Sequence, residues 1–410
     1  MKQQAQTNKI EWQKVELGEL VSKEVSYPIG DGDHGQIKPS MYQDHGVPYI
    51  RVGDMVADKI CLDKIVYISE KVHKNNLKSE LFPGDVLIAK TGATIGKVAI
   101  IPKSIQKANT TSSVGKITPD KNKILPEYLL YFIKTKEFIK QMWLVSIKSA
   151  QPGFNIINLK KFKIPLPFSN DQPDLKEQER IVSILEKAEK LKGQSKTAEK
   201  LLDEYLKSVF NEMFVGKGFE EIVLGNKEVF DVQSGGTPSK AKKEYWENGT
   251  VPWVGSTACK NLSIYESEQF ITDKGLKNSS AKLFPKNTVL VALVGATIGK
   301  TGLLKFDCAT NQNIAGIIIK NDNKINTDYL FFSAKQLYPR FISLSGDTFK
   351  MATLSFIRSL KISLPPFPLQ QKFSRIVEQV EKMKEEVKKT QKNSEELFNS
   401  LMQKAFRGEL

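Results

Sequence analysis

The sequence predicts a mixed α/β (α+β) fold in which two duplicated globular modules are separated by two long helices that form an antiparallel coiled coil. Three observations predict this arrangement: an internal repeat with a period of about half the chain, short strand-like runs within each repeat, and a heptad stripe after each repeat. The 410 residues are 40% hydrophobic and 26% charged, a composition typical of chains that fold around cores. The predicted order is therefore module, helix, module, helix.

The internal repeat is clearest at one strand and the turn after it. Leu-Phe-Pro at 81–83 leads through an aliphatic run to Gly-Ala-Thr-Ile-Gly-Lys at 92–97, and the same two motifs recur at 283–285 and 295–300. Motifs that recur in the same order at the same spacing indicate duplicated domains.

Inside each module, strand-like runs alternate with Gly, Pro, Asn and Asp residues, as short strands joined by long loops do. Asn109 in the first module matches Asn311 in the second, and one helical stretch follows in each, at residues 125–143 and 326–344. Long polar loops on such a scaffold commonly carry recognition residues. The modules are therefore predicted to be mixed α/β binding domains.

A different kind of segment follows each module. Apolar or small residues recur at alternating steps of three and four for five heptads, which predicts coiled-coil helices rather than ordinary core helices. Prolines end the strand before each helix, and Asp174 is a candidate N-cap of the first. Two equivalent helices in one chain are natural partners, and a two-fold axis perpendicular to the pair makes them antiparallel.

Charge differs between the four predicted segments. The net charge is +9 in the first module (1–170), −2 in the central coiled-coil helix (171–214), +6 in the second module (215–368) and +2 in the C-terminal coiled-coil helix (369–410). Together these make the net charge of +15. Two basic modules separated by a nearly neutral helix predict two contacts on one polyanion.

Several classes of protein are excluded by composition. The amino-terminal stretch has no apolar h-region, and the most apolar window, at 287–299, is too short to span a bilayer. Cys61, Cys259 and Cys308 form no C-x-x-C pair, so neither a disulfide framework nor a zinc ribbon is indicated. These features predict a soluble, cytoplasmic protein that requires no membrane, metal or cofactor.

The run from Gly295 to Thr301 is close to a phosphate-binding P-loop. A P-loop needs four residues between its glycines so that backbone N–H groups surround the phosphates, whereas this run has three and Val294 occupies the first glycine position. The equivalent run ends in Val98, which lacks the magnesium-binding hydroxyl. A tight strand-connecting turn is the prediction, and nucleotide binding by an NTPase is an alternative.

The opening loop of each module is rich in glycine, hydroxyl, amide and lysine side chains, which suit phosphate positioning and base-edge contacts. Asp31 and Asp33 could hold a cation, but the second module has Ser234, Gly235 and Gly236 there, and a duplicated metal site would keep its ligands. The three histidines have no counterparts in the second module. No catalytic constellation is found, so the chain is predicted not to be an enzyme.

The arrangement resembles the DNA specificity (S) subunit of type I restriction-modification systems over essentially the whole chain. The resemblance rests on these residues: Ser234 to Pro238 with Tyr245, Trp246, Pro252 and Trp253; the Gly-Ala-Thr-Ile-Gly-Lys runs; Asn311 and Gln312; Glu177, Gln178 and Arg180 to Val182; and the final stretch from Leu397 to Leu410.

The resemblance implies two target recognition domains, each reading one half of a split, asymmetric site in double-stranded DNA. It also implies two methyltransferase (M) subunits docked on the helical regions and restriction (R) subunits added for cleavage, with any cofactors held by those partners. The two modules differ in their opening loops, and Asn109 is not followed by a counterpart of Gln312, which fits two different half-sites.

Two sets of candidate residues follow from the loops, the repeated turns and the matching helix ends. The DNA-binding candidates are Lys38, Ser40, Tyr42, Arg51, Lys90, Thr94, Lys97, Asn109, Thr237, Ser239, Lys240, Lys242, Lys243, Tyr245, Trp253, Thr297, Lys300, Asn311 and Gln312. The partner-interface candidates are Leu201, Tyr205, Phe210, Leu397, Leu401 and Phe406. The alternative to a specificity subunit is a standalone basic coiled-coil adaptor that binds nucleic acid without sequence choice.

Overall fold

The computed structural model describes residues 10–147, 153–154, 156–343 and 351–410. The chain divides into two compact units. The first runs to Ser195 and is completed by Thr390–Leu410, and the second is Lys196–Lys389. Both long helices contribute to both units, because each unit boundary falls within a helix.

The first unit contains fifteen strands and three helices among its described residues, followed by a long helix that continues into the second unit. The strands are β1 (Glu11–Glu16), β2 (Ile29–Asp31), β3 (Val47–Ile50), β4 (Met55–Val56), β5 (Lys59–Ile60), β6 (Val66–Ile68), β7 (Glu80–Leu81), β8 (Val86–Ala89), β9 (Val98–Ile100), β10 (Ala108–Thr110), β11 (Val114–Ile117), β12 (Ser146–Ile147), β13 (Gly153–Phe154), β14 (Lys163–Ser169) and β15 (Gln172–Pro173). The helices are α1 (Glu70–Lys74), α2 (Pro126–Ile133), α3 (Lys136–Val145) and the long α4 (Leu175–Phe214).

The second unit repeats this order in its described part and ends with the second long helix. Its strands are β16 (Glu221–Val223), β17 (Phe230–Ser234), β18 (Val251–Val254), β19 (Leu262–Ile264), β20 (Gln269–Ile271), β21 (Leu283–Phe284), β22 (Val289–Ala292), β23 (Thr301–Leu304), β24 (Cys308–Thr310), β25 (Ile314–Ile319) and β26 (Lys361–Ser363). Its helices are α5 (Asp273–Lys277), α6 (Thr327–Gln336), α7 (Tyr338–Ile342), α8 (Leu354–Ser359) and the long α9 (Phe367–Ala405).

Each module is built on two sheets with corresponding strand orders, and the second module adds one parallel strand, β19, to the edge of its larger sheet. In the first, the strand orders are β2-β11-β8-β9 and β6-β3-β10-β7, and in the second they are β17-β25-β22-β23-β19 and β20-β18-β24-β21. The parallel pairs β3-β10 and β18-β24 lie at the centres of corresponding sheets. They place Tyr49 opposite Asn109 in the first module and Trp253 opposite Ala309 in the second. The predicted duplication and mixed α/β class are confirmed.

The long helices α4 and α9 pack against each other in opposite directions. In the second unit, Lys384 Nζ lies 2.6 Å from Asp203 Oδ1 and Lys388 Nζ lies 3.9 Å from Glu199 Oε1, so an increase along one helix matches a decrease along the other. In the first unit, Lys192 Nζ lies 2.8 Å from Glu395 Oε1. The predicted antiparallel coiled-coil arrangement agrees with this pairing. Asp174 Oδ1 accepts from Glu177 N at 3.0 Å and caps α4, as expected.

The buried face of these helices includes part of the stripe that the heptad spacing predicts, such as Ile181 and Val380, but it is wider and leaves other seam positions exposed. Leu191, Tyr205 and Met383 occupy predicted seam positions but are about half exposed, whereas Leu185 and Leu206 are buried. The reason is that each helix end packs against its module as well as against the other helix, and a wider face is then buried than a two-stranded seam requires.

The single helical stretch predicted in each module is broken into two helices. After α2, the Thr135 hydroxyl donates to Phe132 O and accepts from Phe138 N, so it ends one helix and begins the next. In the second module, Pro339 lies in the first turn of α7, where its missing N–H is tolerated but cannot continue α6. The predicted end at Leu344 lies outside the described residues.

A buried glutamine at the start of each long helix ties that helix to its module. Gln178 accepts from Leu125 N at 3.0 Å and donates to Lys123 O at 2.9 Å. Gln370 accepts from Asn326 N at 2.9 Å and donates to Lys324 O at 3.0 Å. In both units the carboxamide therefore pairs with backbone groups just before α2 or α6, where the chain would otherwise bury unpaired donors and acceptors.

We expect Gln178→Ala to lower the free energy of unfolding of the first unit by about 1–3 kcal/mol, because two buried backbone groups lose their partners. Gln370→Ala should do the same in the second unit. Hydrogen exchange of amides in α2 and α6 measures each unit separately. Gln403→Ala, on the C-terminal part of α9, is the control for loss of a glutamine, and an equal effect of all three substitutions would contradict the proposed ties.

The three cysteines are free thiols, and Cys259 and Cys308 are buried. Among the residues that the structure describes, every helix falls short of the length and apolar character that a bilayer crossing requires.

Candidate nucleic-acid interface

The loops that carry most candidate residues of the second module meet at one edge of its sheets. Pairing of Ser234 with Ala315, and of Ala292 with Ile314, places the ends of β17 and β22 beside the start of β25. The parallel strands β18 and β24 end at the same place, where Asn311 N donates to Val254 O at 3.1 Å. The opening loop, the turn after β22 and the Asn311–Gln312 segment are therefore neighbours.

Two glycines allow the opening loop to lie directly on β24. A Cβ atom at Gly235 would lie 2.1 Å from Thr310 Oγ1, and one at Gly236 would lie 2.3 Å from Ser280 O, so no other residue fits without backbone movement. Gly236 N donates to Thr310 O at 2.8 Å. The next residue, Thr237, donates from Oγ1 to Gln312 Oε1 at 2.6 Å, which orients an exposed amide at this edge.

Aromatic side chains pack beneath this loop and hydrogen-bond to its backbone. Trp253 Nε1 donates to Gly236 O at 3.1 Å, and Trp246 Nε1 donates to Ser239 O at 3.2 Å, with ring centroids 5.2 Å apart. Tyr245 and Trp253 are buried, so in this structure they hold the loop and do not extend from it. Ser239 and the lysines at 240, 242 and 243 are exposed on its surface.

The Gly-Ala-Thr-Ile-Gly-Lys run connects β22 to β23 as the tight turn that the sequence predicts. Gly299 has φ +72°, and a Cβ there would lie 2.7 Å from Phe341 Cγ. Thr297 Oγ1 donates to Val294 O in its own turn, at 3.4 Å. Thr297 and Lys300 are half-buried at the edge.

The same edge exists in the first module, with Asp33 at the position of Gly236. Asp33 N donates to Thr110 O at 3.1 Å, and a Cβ at Gly32 would lie 2.2 Å from Thr110 O. The Asp33 carboxylate accepts from four donors: Gly35 N, Ile37 N, Tyr49 Oη and Ser112 N, at 2.7–3.2 Å.

These donors make Asp33 the organising group of its loop. Burial, together with the Asp33 charge, raises the pKa of the Tyr49 phenol, which therefore stays protonated and donates. Asp31, the other acidic residue considered as a cation ligand, pairs with Lys90 Nζ and lies 3.2 Å from His34 Nε2. Within the described ranges, no group of three or more His, Cys, Asp or Glu side chains is arranged to hold a metal ion.

Two candidates of the first module lie inside it and not on its surface. The Asn109 side chain is fully buried; His73 Nδ1 lies 2.7 Å from its Oδ1, and its Nδ2 donates to Asn76 O and Ser79 Oγ. Lys90 is buried against Asp31. The matching of Asn109 with Asn311 is wrong by register, because Asn109 is opposite Tyr49 as Ala309 is opposite Trp253.

The other candidates of the first module are at the surface, but some of their side chains already bind other groups of the protein. Arg51 makes a two-pronged contact with Asp54, at 3.0 Å for each nitrogen, and this bond raises the pKa of its guanidinium. Lys97 Nζ donates to Val52 O at 3.2 Å, and the ring of Tyr42 lies 5.5 Å from that of Tyr49. Lys38, Ser40 and Thr94 are exposed, and Thr94 Oγ1 donates within its own turn to Thr91 O at 3.5 Å.

The register also identifies residues that motif matching missed. Thr110 corresponds to Thr310, so Ser112 corresponds to Gln312, and its backbone N–H already binds Asp33. The alternation of residues along the strands could have indicated this correspondence, because it places Thr110 and Thr310 at the ends of the parallel strands β10 and β24. The two edges therefore share a backbone geometry but present a serine in one module and a glutamine in the other.

The partner-interface candidates divide into buried and exposed residues. Phe210 and Phe406 are buried in the cores of the second and first units, respectively. Leu201, Tyr205 and Leu397 are 57%, 51% and 49% exposed on the long helices, and Leu401 is half-buried. Only the exposed residues present apolar surface that a partner could cover without unfolding the unit.

Comparison with known proteins places both modules in one family. The sequence model described as the type I restriction modification DNA specificity domain matches residues 9–201 and again residues 220–396. The chain is 26% identical to the type I restriction enzyme MjaIX specificity subunit of Methanocaldococcus jannaschii over 339 residues, which is 76% of this chain and 74% of that protein. It is also 26% identical to the EcoR124I/EcoR124II specificity subunit of Escherichia coli over 286 residues, 66% of this chain and 67% of that one.

Solved structures show the same fold over nearly the whole chain. A chain from a study of complex assembly and conformational transition of the type I R-M system has a TM-score of 0.64, with 19% identity, and covers 97% of this chain and 98% of its own. The crystal structure of a type I restriction-modification S subunit from M. genitalium has a TM-score of 0.53, with 16% identity, and covers 99% and 98%.

Proposed function

The chain belongs to the type I restriction modification DNA specificity family, and from that premise we propose that it reads a bipartite, asymmetric DNA site with one half-site per module. It is a non-catalytic DNA-recognition subunit of a restriction-modification complex. We propose residues 1–170 and 215–368 as the target recognition domains, residues 171–214 and 369–410 as the helical spacers, and the cytoplasm as its location.

One observation supports a split, asymmetric site most strongly. The two modules repeat one edge, in which a glycine lies against the last residue of a central strand, yet they differ in the side chains presented there: Asp33 and Ser112 in one, Gly236 and Gln312 in the other. A shared backbone gives both modules the same approach to DNA. Different side chains give them different base preferences, because donor and acceptor patterns at base edges determine specificity.

The exposed and half-buried residues of this edge are the proposed DNA contacts. In the second module they are Thr237, Ser239, Lys240, Lys242, Lys243, Thr297, Lys300, Asn311 and Gln312, and in the first they are Lys38, Ser40, Tyr42, Arg51, Thr94 and Lys97. Lysines supply contacts to phosphates, and the amides and hydroxyls supply contacts to bases. Lys90, Asn109, Tyr245 and Trp253 are proposed to hold these loops in place.

The test is a competition binding measurement. The host's methylated sequence is mapped, and duplexes carrying that bipartite site, each half-site alone, or the site with its spacer lengthened compete for the chain assembled with methyltransferase subunits. We expect the intact site to bind at least about a thousandfold more tightly than random duplex. Equal affinity for all duplexes would instead support the sequence-indifferent adaptor.

We propose that two methyltransferase subunits dock on the long helices and that restriction subunits join them in the complete complex. The exposed residues Leu201, Tyr205 and Leu397 support this placement. They are large, apolar and half exposed on helices whose other faces are already packed, which is the surface that a permanent partner would cover.

We expect Tyr205→Ala combined with Leu201→Ala to reduce co-purification of a methyltransferase subunit, because about half of each side chain is available for burial. The free energy of unfolding of the isolated chain should change by no more than about 0.5 kcal/mol, as for other surface positions. Lys200→Ala, on the same helix surface, is the matched control. Undiminished co-purification would contradict the docking site.

A further inference from the structure

The second unit contains a cavity of about 650 Å³ that the proposed DNA contacts do not use. It lies among α6, the start of α7, β19 and the parts of α4 and α9 that belong to this unit. Aromatic side chains, among them Tyr265, Phe331 and Tyr338, form part of its lining, together with several lysines. A cavity of this size with an apolar wall and a few charged groups has the character of a small-molecule site.

Lys335 is the charged group of this cavity that lies closest to the aromatic wall. Its Nζ is 4.1 Å from the ring centre of Phe331 and 4.4 Å from that of Phe332. Burial, and next the charge of Lys384, lower the pKa of this amine to about 8, so it is still mostly protonated at neutral pH. Within the described part of the chain, no carboxylate lies at ion-pair distance from Lys335.

The equivalent lysine of the first unit shows what such an amine binds. Lys134 lies at the same place on α2 and pairs with two carboxylates, Asp58 and Glu189, the second at 2.7 Å. Tyr131 assists, because its hydroxyl donates to Glu189 at 2.9 Å. The first unit therefore satisfies its lysine with carboxylates from its own chain.

Among the described residues of the second unit, none of these three supports pairs with Lys335. Asn261 occupies the left-handed turn position of Asp58, with φ of 62° and 64°, and its Oδ1 already accepts from Thr301 N at 2.9 Å. Phe332 occupies the position of Tyr131 and has no hydroxyl. Glu381 occupies the position of Glu189, as Gln370 occupies that of Gln178, but its carboxylate binds Lys384 Nζ at 2.9 Å.

The remaining charges of the cavity favour an added anion. Asp203 and Glu381 bind Lys384 at 2.6 and 2.9 Å, Glu199 is 3.9 Å from Lys388, and Asp328 accepts from the Ser374 hydroxyl. Three further lysines of the lining, at 207, 260 and 305, make no ion pair among the described residues. Three of the four acidic groups of the lining thus pair with lysines and Asp328 accepts a hydrogen bond, whereas four amines have no ion-pair partner among the described residues.

We propose that this cavity binds an organic carboxylate, with its acid group at Lys335 and its carbon skeleton against the aromatic wall. The carboxylate takes the place beside the amine that Asp58 fills in the first unit. This inference does not depend on DNA recognition. The carboxylate could belong to a free organic acid or to an acidic side chain, and the two sources share the same chemistry.

The test uses the full chain without DNA and two probes: glutarate as the free acid and N-acetylglutamate amide as the side-chain equivalent. Labelling of amines with a limiting amount of acetic anhydride at pH 8, read by mass spectrometry, should show Lys335 protected by at least one probe. The tighter-binding probe identifies the source. Protection by neither, or protection by inorganic phosphate at lower concentration than either probe, would overturn the proposal.

Variants of the cavity test the proposed site without chemical labelling. Titration calorimetry should show probe binding weakened about tenfold or more by Lys335→Met, because a charge-assisted contact is lost. Asn261→Asp combined with Phe332→Tyr should weaken it similarly, because these changes restore two groups of the first unit. Lys227→Met, at an exposed lysine, should bind the probe like the unmodified chain. Unchanged binding by both cavity variants would refute the assigned position.

Discussion

Phe210→Ala is expected to lower the free energy of unfolding of the second unit by about 3–5 kcal/mol, which is the usual cost of removing a buried phenylalanine. Its ring packs against those of Phe214, Tyr329, Phe332 and Phe373, with centroids 5.0–5.9 Å apart. Loss of the ring leaves a cavity and removes the aromatic contacts that fasten α4 to α6 and α9. Hydrogen exchange of amides in α6 and β25 measures the effect.

Phe406→Ala should produce the same loss in the first unit, where Phe406 packs against Tyr128 and Phe132 with centroids 5.1 and 5.2 Å away. Each substitution should spare the amides of the other unit. Tyr205→Ala is the control, because it removes an exposed ring from the same helix as Phe210. If Phe210→Ala and Tyr205→Ala destabilised the second unit equally, the core role of Phe210 would be wrong.

Replacement of Lys240, Lys242 and Lys243 by alanine is expected to weaken DNA binding at low salt by about tenfold to a thousandfold and to flatten its salt dependence. Each lost phosphate contact removes roughly 0.9 from the slope of log affinity against log salt concentration. The contribution of Lys243 should be the smallest, because it lies 3.8 Å from Glu247 and is partly neutralised. Fluorescence anisotropy across a salt series gives both quantities.

The matched control is alanine at Lys227, Lys320 and Lys324, which removes the same charge from the opposite end of the same sheet. Strand β17 begins shortly after Lys227 and β25 ends just before Lys320, far along both strands from the loop edge. If the two triple variants flattened the salt dependence equally, the charge effect would be general, and the opening loop would not be the DNA contact.

The internal repeat made the fold predictable, because two copies of one sequence pattern fold into two copies of one domain. The duplicated modules and the paired long helices agree with what the Leu-Phe-Pro motifs and the heptad spacing indicate. The candidate site was predicted in part. The glycine-rich opening loop indicated the proposed DNA-binding edge at Gly235 and Gly236, since a close backbone approach tolerates no side chain. Asn109 was misplaced, because motif matching does not specify strand register.

Composition and pattern by themselves determined the two modules, their basic charge, the antiparallel pairing of the helices and the family. These properties depend on local spacing and on totals, which a linear sequence carries directly. Only the tertiary structure decided that Phe210 and Phe406 are core residues and that Asp33 organises a loop. It also decided that Lys134 pairs with carboxylates, whereas Lys335 has no ion-pair partner in the described part of the chain. The physical reason is that burial and ion pairing depend on which distant residues meet, and Asp58 and Glu189 are brought to Lys134 only by folding.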